Sequence, residues 1–258
     1  MNKIDIESLR RDFDKERDEL GKIIFPIVEK YNLPQKELIE VCQVGKFIYK
    51  LNENLSIVDK PNPPRPDFIL QNNLQLIGLE HTRIFTENSE KYNRIKSLFE
   101  YSEKIFTQLF PNEKIHASIT IYNDSFEYKQ FQKKELANKI SNYIQSLILN
   151  EKVEKPDFIE EIRLMKHSSV SFTFNEKNWQ GPYLTNERLN EEIKKKEPKL
   201  QIYKNGENEI GEYWLILLIG SLSSVSYQLD EMENYQTESD FNRVYLMADF
   251  DAKIVRVK

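Results

Sequence analysis

Two acidic residues stand inside apolar stretches of this sequence, where an ionised side chain needs a reason to be. Asp67 follows Pro66 at the start of one apolar run, and Glu80 closes the run LIGLE at residues 76–80. A carboxylate is costly to bury unless it is paired with a positive group or binds a cation. Asp67 and Glu80 are therefore the first candidates for catalytic or metal-binding chemistry.

The elements around these acids predict how they are placed. Residues 61–85 have the pattern of two strands that meet at a polar Gln71-Asn72-Asn73 turn. Side chains alternate between the faces of a strand, and opposed residues of an antiparallel hairpin share a face. A connection with an even number of residues puts Asp67 and Glu80 on the same face. A connection with an odd number, and no bulge, puts them on opposite faces.

With an even connection, the opposite face of the hairpin is wholly apolar and forms a core layer. Its residues are Phe68, Leu70, Ile77 and Leu79. The Glu80 face carries Gly78 and Thr82 instead. A glycine inside a strand often marks the close approach of a ligand or of another chain segment.

Pro66-Asp67, the hairpin and Glu80-x-Thr82 together resemble the metal-binding hairpin of the PD-(D/E)xK nuclease superfamily, in a divergent bacterial form with ExT in place of ExK. The resemblance covers about residues 36–125 and implies a restriction-endonuclease-like core. It implies that Asp67 and Glu80 bind Mg²⁺ or Mn²⁺, with the His81 carbonyl as a further oxygen ligand. The implied activity is metal-dependent hydrolysis of phosphodiester bonds in nucleic acid.

The superfamily carries a lysine two residues after the glutamate, and this sequence has Thr82 there. A threonine supplies no positive charge, so either another basic residue replaces the lysine or the site is weakened or inactive. One source is the start of the predicted helix from residue 88 to residue 110, which carries Lys91, Arg94 and Lys96; an exposed basic face is the ordinary alternative. The lysine-rich helix 184–197, which we expect Pro198 to stop, and residues 199–204 form either a solvated face or a phosphate-contacting rim. The superfamily has a lysine-bearing helix before a strand like residues 213–219, so the resemblance also implies that this helix contributes to the active site.

Further site residues follow from the resemblance and from charge. The superfamily places a helix before the hairpin that can lend an acid to the metal, and helix 34–51 offers Glu37 and Glu40. We choose Glu40 because it lies nearer the middle of the helix, although both side chains could simply be solvated. The predicted nucleic-acid contacts are Arg65, Arg83, Lys91 and Arg94.

The order of predicted elements indicates an α/β protein with a mixed central sheet flanked by helices. The predicted division of one domain, residues 1–258, is an N-terminal helical arm (1–35), a nuclease-like core (36–125) and a sheet extension with helices (126–258). The core would contain helix 34–51, a strand near 54–60, the hairpin, helix 88–110 and strand 116–122. Residues 213–219 form a continuous apolar run, which is typical of a central strand buried on both faces.

Composition limits the functional classes. The net charge of −5 over 258 residues means that nucleic-acid binding needs a local basic surface. Cys42 is the only cysteine, which excludes an internal disulfide and a cysteine zinc cluster and suits a reducing interior. The sequence opens without a signal peptide pattern, and its most apolar run, residues 213–227, is too short and polar to span a bilayer. We expect a cytoplasmic location.

Two functions are carried forward. The first is a nuclease whose partner is nucleic acid, with DNA ranked before RNA and no membrane partner. The alternative is a catalytically inactive protein of the same fold that acts as an interaction or regulatory module. Thr82 and the acidic net charge favour the alternative, and a homodimer is compatible with either.

Overall fold

The computed structural model describes residues 6–122, 126–177, 181–206, 209–220 and 225–258. The chain forms two compact units. The first unit comprises Met1–Ile84, Tyr183–Ser221 and Gln228–Lys258, and the second comprises Phe85–Pro182 and Leu222–Tyr227. None of the helices in these described ranges combines the length and the apolarity needed to cross a membrane.

The helices and strands follow one another along the chain as α1 (Ile6–Lys30), α2 (Gln35–Leu51), β1 (Ser56–Asp59), β2 (Phe68–Gln71), β3 (Leu76–Arg83), α3 (Ser89–Leu109), β4 (Ile115–Ile121), α4 (Lys133–Leu149), β5 (Ile159–Lys166), β6 (Ser171–Glu176), α5 (Asn186–Lys194), α6 (Glu197–Lys204), β7 (Ile210–Ile219), β8 (Arg243–Ala248) and β9 (Lys253–Arg256). A single 3₁₀ turn, Gln130–Gln132, precedes α4.

The first unit is built on a six-stranded mixed sheet in the order β1-β2-β3-β7-β8-β9. Strands β1, β2 and β3 are antiparallel neighbours, whereas β7 is parallel to both β3 and β8. Strand β9 returns antiparallel beside β8. A mixed sheet flanked by helices confirms the predicted α/β class, and β7 lies inside the sheet as its apolar run predicted.

The hairpin has the register that places the two acids on one face. Gln71 pairs with Leu76, so the connection is four residues long, an even number. Asn72 Oδ1 stabilises this connection by accepting hydrogen bonds from the main-chain N–H groups of Leu74 and Gln75, both over 2.9 Å. The opposite face is the predicted core layer, in which all four residues, Phe68, Leu70, Ile77 and Leu79, are fully buried. They belong to one apolar cluster with Val41, Val44 and Phe47 of α2.

Gly78 marks a close approach, but by protein atoms. A Cβ at this position would lie 2.8 Å from the ring of Pro66 and 2.9 Å from the ring of Tyr213. These are shorter distances than side-chain carbons tolerate, so only glycine fits between the two rings. Gly78 therefore lets the proline before Asp67 and strand β7 pack directly on the Glu80 face.

The second unit has its own three-stranded sheet, in the order β5-β4-β6. Its buried residues on β4, Ala117, Ile119 and Ile121, form a cluster with residues of α3 and α4 such as Phe99 and Ile144.

This separate sheet corrects the predicted core and extension. Strand β4 was expected beside the hairpin, and β5 and β6 were expected to extend the same sheet, but only β7, β8 and β9 do so. The burial pattern gives the physical reason. Strand β4 alternates between buried and half-buried residues, as a sheet covered on one face does, whereas β7 is buried continuously from Tyr213 to Ile219. The parallel neighbour of β3 must be buried on both faces, and β7 is the strand with that character.

Pro198 was also interpreted differently from the fold. Pro198 does not stop a helix; it stands in the first turn of α6, after α5 has ended at Lys194. The first turn suits proline because the N–H groups there have no partner within the helix.

Candidate functional site: a buried carboxylate pair

Strands β2 and β3 bring Asp67 and Glu80 together. The register pairs Phe68 with Leu79, and its continuation by one residue places Asp67 across from Glu80. The main-chain N–H of His81 donates to Asp67 Oδ2 over 2.9 Å, which ties the aspartate to β3. Glu80 is 1 % exposed, and Asp67 is half-buried. Asp67 and Glu80 therefore lie on the same face of the hairpin, as an even connection predicts.

The pKa of Asp67 is raised from its ordinary value near 3.8 to about 6. Burial is the largest cause, and the negative charge of Glu80 is the second. The hydrogen bond from the His81 N–H and the charge of Lys199 oppose the rise. Asp67 is thus an acid held in a place that favours a nearby cation or a proton.

Glu80 has positive partners, and they come from α6 and the residue before it. Lys199 Nζ lies 2.6 Å from Glu80 Oε1, and Lys196 Nζ lies 3.3 Å from the same oxygen. The Tyr203 hydroxyl donates to Oε2 over 2.7 Å. Burial opposes ionisation of Glu80, but the hydrogen bonds from Lys199 and Tyr203 outweigh it and hold the pKa of this carboxyl below its usual value. Glu80 is therefore ionised.

Helical spacing explains why these three side chains meet one carboxylate. Lys196, Lys199 and Tyr203 are separated by three and four residues, so they lie along one face of α6 and its N-terminal flank. Tyr213 of β7 fixes the far end, because its hydroxyl donates to the Tyr203 carbonyl oxygen over 3.1 Å. The helix is thus anchored against the sheet with its positive side chains directed at Glu80.

Positive charge reaches Glu80 from the lysine-rich segment before β7. The ammonium groups on Glu80 belong to Lys196 and Lys199, whereas Lys91, Arg94 and Lys96 lie on α3 in the second unit. The Thr82 side chain is 9 % exposed, and within the described part of the chain its Oγ1 has no hydrogen-bond partner.

Glu40 lies elsewhere in the first unit. Its carboxylate is 3.5 Å from Lys60 Nζ, and Glu37 contacts the same ammonium group at 3.3 Å. Among the described residues, no three His, Cys, Asp or Glu side chains are grouped so that they could hold one metal ion. The structure therefore brings together two of the three predicted metal ligands, Asp67 and Glu80, and leaves Glu40 in an ion pair with Lys60.

His81 belongs to both faces of the sheet. Its main chain holds Asp67, but its ring is directed to the α2 side, where Nε2 lies 3.1 Å from Gln43 Oε1. Gln43 in turn donates to Asp249 over 2.6 Å, and Lys46 pairs with that aspartate at 3.0 Å. Burial lowers the pKa of His81 to about 4, so the ring is neutral at physiological pH. No local pattern in the sequence indicated this network, because its members come from α2, β3 and the β8–β9 turn.

The predicted nucleic-acid contacts are divided between the two units. Arg65 is exposed in the proline-rich segment before Asp67, and Arg83 is exposed at the end of β3. Lys91 and Arg94 belong to α3 of the second unit. Only the first two share a unit with the carboxylate pair.

Fold and site together define an α/β protein in which a mixed sheet carries a buried carboxylate pair faced by lysines. Comparison with known proteins adds no family to this description. No protein-family model, no curated protein and no solved structure matches the chain. Function is therefore inferred from the site itself.

Asp67→Asn is expected to stabilise the fold at pH 7.5 by on the order of 2 kcal/mol. The folded state holds the proton of Asp67 more tightly than the unfolded chain does, because the pKa is raised from near 3.8 to about 6. This aspartate therefore destabilises the fold progressively as the pH rises from about 4 to about 6, and asparagine does not. Urea unfolding of wild type and variant between pH 4 and pH 7.5 measures the difference.

Asp12→Asn removes an exposed carboxylate from α1 and provides the control, because such a surface substitution is expected to leave the free energy of unfolding within about 0.5 kcal/mol of the wild type. An Asp67→Asn variant no more stable than Asp12→Asn at pH 7.5 would contradict the burial penalty assigned to Asp67.

Proposed function

We propose that the protein is a metal-dependent phosphodiesterase that cleaves nucleic acid, with Asp67, Glu80 and Lys199 at its centre. The observation that supports this proposal is their convergence: two carboxylates share one face of the hairpin, and an ammonium group lies 2.6 Å from Glu80. These are the chemical groups of the PD-(D/E)xK site, with the lysine supplied from α6 instead of from residue 82.

The order of elements in the first unit supports the same proposal. With the second unit set aside as an insertion between β3 and α5, the chain from α2 onward runs helix, three strands, helices, strand. This is the order that the resemblance implies for a restriction-endonuclease-like core, and β7 takes the place that β4 was expected to fill. The resemblance to that superfamily is itself part of the proposal.

The residues present fit a hard divalent cation such as Mg²⁺ or Mn²⁺. Such ions prefer oxygen ligands, and Mg²⁺ sites commonly use one or two carboxylates together with water and substrate phosphate oxygens. Asp67 and Glu80 would supply the carboxylates, and the His81 carbonyl would add a main-chain oxygen. When bound, the ion would lower the pKa of a coordinated water and neutralise charge on the phosphate.

The residues of the chain have separate tasks in this proposal. Asp67 would bind the divalent cation in its ionised form. Because the pKa of Asp67 is raised to about 6, cation binding is expected to weaken as the pH falls below that value. Lys199 carries the positive charge that stabilises the phosphate as negative charge develops on it. Tyr203 holds Glu80 in place, because its own pKa is raised by burial and by Glu80 and its hydroxyl therefore keeps its proton.

Nucleic acid is the proposed partner, in the cytoplasm, with DNA ranked before RNA. The overall charge of −5 means that local positive groups must attract the substrate. Lys194 is exposed on α5, and Arg65 and Arg83 are exposed near the ends of the hairpin strands. A homodimer is compatible with this arrangement.

Added Mn²⁺ or Mg²⁺ is expected to raise the thermal stability of the wild-type protein by up to about 2.7 kcal/mol at a hundredfold excess over the dissociation constant. Asp67→Ala removes one carboxylate and is expected to lose most of this shift. Thermal unfolding with the metal titrated to millimolar concentration measures it, with Asp12→Ala as the matched control. No shift in the wild type would exclude the metal site.

Cleavage itself is tested on supercoiled plasmid, single-stranded DNA and RNA, with Mg²⁺ and with Mn²⁺. Nicking by the wild type that disappears in Glu80→Gln and persists in Asp12→Asn supports the enzyme. The preferred substrate in this panel ranks DNA against RNA.

One observation favours the alternative, a catalytically inactive interaction module. Glu80 already has internal partners on both oxygens, as an ion cluster that only stabilises a fold would have. Nucleic-acid binding without cleavage in any of the three substrates would support this alternative over the enzyme.

A further inference from the structure

Glu80 Oε1 holds two ammonium groups, at 2.6 Å from Lys199 and at 3.3 Å from Lys196. The Tyr203 hydroxyl donates a hydrogen bond to the other oxygen, Oε2, over 2.7 Å. A divalent cation bound at Glu80 would therefore lie close to two positive charges, and like charges at such distances repel one another strongly. The proposed metal ion and the two lysine ammonium groups would therefore compete for the same carboxylate oxygen, Glu80 Oε1.

The lysines differ from the tyrosine in their freedom to leave. The side chain of Lys199 is 46 % exposed and that of Lys196 is 21 % exposed, whereas Glu80 itself is completely enclosed. Tyr203 is 6 % exposed and is fixed by Tyr213. Since a lysine has a long flexible stem, its ammonium group can swing from Glu80 to solvent while α6 stays packed.

We propose that Lys199, assisted by Lys196, is an internal counter-cation that competes with the divalent ion for Glu80 and is drawn away when a nucleic-acid phosphate binds it. This inference rests on the proposed function and adds its regulation: metal and nucleic acid bind cooperatively. A phosphate that takes the lysine frees Glu80 for the metal, and the metal frees the lysine for the phosphate. Such coupling between two ligands is reciprocal.

Lys195 provides a matched control for this proposal. It stands next to Lys196, is exposed, and pairs with Glu192 at 2.7 Å instead of with Glu80. Lys195→Met and Lys199→Met remove the same charge from the same region of the surface. Only the second removes a charge from Glu80.

The test is calorimetric titration of Mn²⁺ into the full-length wild type, Lys199→Met, Lys195→Met and Glu80→Gln. We expect Lys199→Met to bind Mn²⁺ about tenfold more tightly than the wild type, because a positive charge leaves the site. Lys195→Met is expected to match the wild type, and Glu80→Gln is expected to bind weakly. Lys199→Gln, which removes the charge but keeps a hydrogen-bond donor, serves as a second variant if Lys199→Met does not fold.

A second arm repeats the titration with a saturating phosphorothioate single-stranded oligonucleotide, which keeps the phosphate charge. The wild type is expected to bind Mn²⁺ more tightly with the oligonucleotide than without it, and Lys199→Met is expected to gain much less. Equal Mn²⁺ affinities in wild type and Lys199→Met would overturn the competition and leave the metal site intact. No Mn²⁺ binding in any variant would overturn the proposed metal-dependent function together with it.

Discussion

Glu80→Ala is expected to lower the free energy of unfolding of the first unit by about 1–3 kcal/mol, the usual effect of leaving a buried hydrogen-bond donor without its acceptor. The substitution leaves Lys196, Lys199 and the Tyr203 hydroxyl without the acceptor that they share. The Tyr203 hydroxyl is the most affected, since its residue is 6 % exposed and water reaches it poorly. The lysines are partly exposed and recover some hydration.

Trp214 provides a local measurement of this loss. The chain has two tryptophans, and Trp214 is fully buried in the first unit. Trp179 lies outside the described residues. Urea unfolding followed by fluorescence in a Trp179→Phe background therefore reports the sheet that carries Glu80, separately from the second unit.

The matched control is Glu191→Ala, which removes an exposed glutamate that pairs with Arg188 at 2.9 Å. An exposed ion pair contributes about 0–1 kcal/mol, so this variant is expected to remain close to the wild type. If Glu80→Ala is no more destabilising than Glu191→Ala, then Glu80 does not organise the contacts of α6 with the sheet.

Lys199→Met is expected to slow cleavage by roughly 10²–10³-fold at saturating Mg²⁺, the effect commonly seen when one preorganised electrostatic contact to the reacting group is removed. Lys199 is the closest positive group to the carboxylate pair. Lys196→Met is expected to have a smaller effect, because its ammonium group is farther from Glu80, at 3.3 Å against 2.6 Å. Single-turnover rates on the preferred substrate measure both.

Stability and chemistry can be separated in this experiment. Removal of Lys199 leaves the enclosed Glu80 carboxylate with Lys196 and Tyr203, so Lys199→Met is also expected to lower the free energy of unfolding. Rates are therefore compared under conditions in which urea unfolding shows the wild type and the variant to be folded. Lys195→Met again controls for the loss of one positive charge. A Lys199→Met variant that cleaves within threefold of the wild type would remove Lys199 from the proposed mechanism.

These two predictions together divide the possible roles of the site. A large effect of Glu80→Ala on folding, with cleavage absent from the wild type, would describe a structural ion cluster in an interaction module. A large effect of Lys199→Met on the cleavage rate of the folded variant would describe an active site. The same four residues, Glu80, Lys196, Lys199 and Tyr203, are compatible with either result.

The sequence narrowed the local part of this site to two arrangements, and the observed connection selects one of them. Side chains of a strand alternate strictly, and the connection in the hairpin is four residues long, so the register of β2 and β3 places Asp67 and Glu80 on one face. The same alternation buries Phe68 and Leu79 on the other face. The apolar run of residues 213–219 likewise predicted a strand inside the sheet, and β7 is that strand.

The partners of Glu80 were decided by tertiary structure. Lys199 is 119 residues from Glu80 in the chain, and the motif expected its lysine only two residues away. A lysine at the start of a helix carries no local sign of the carboxylate that it will meet, because exposed and site-facing lysines have the same sequence pattern. The packing of Tyr203 on Tyr213 decides it, since this contact turns the lysine-bearing face of α6 toward β3.

The division into two sheets was also beyond the sequence. Strands β4 and β7 both show strand patterns after the hairpin, and alternation or an apolar run predicts a strand without naming its neighbour. Neighbours are chosen by which faces can be covered: β4 buries one face on α3 and α4, whereas β7 buries both. The sequence by itself identified the two acids and limited them to one shared face or two opposite faces, because strand alternation is local. The structure decided between these two arrangements, and it alone determined which positive charges meet the pair, because those contacts join segments that are distant along the chain.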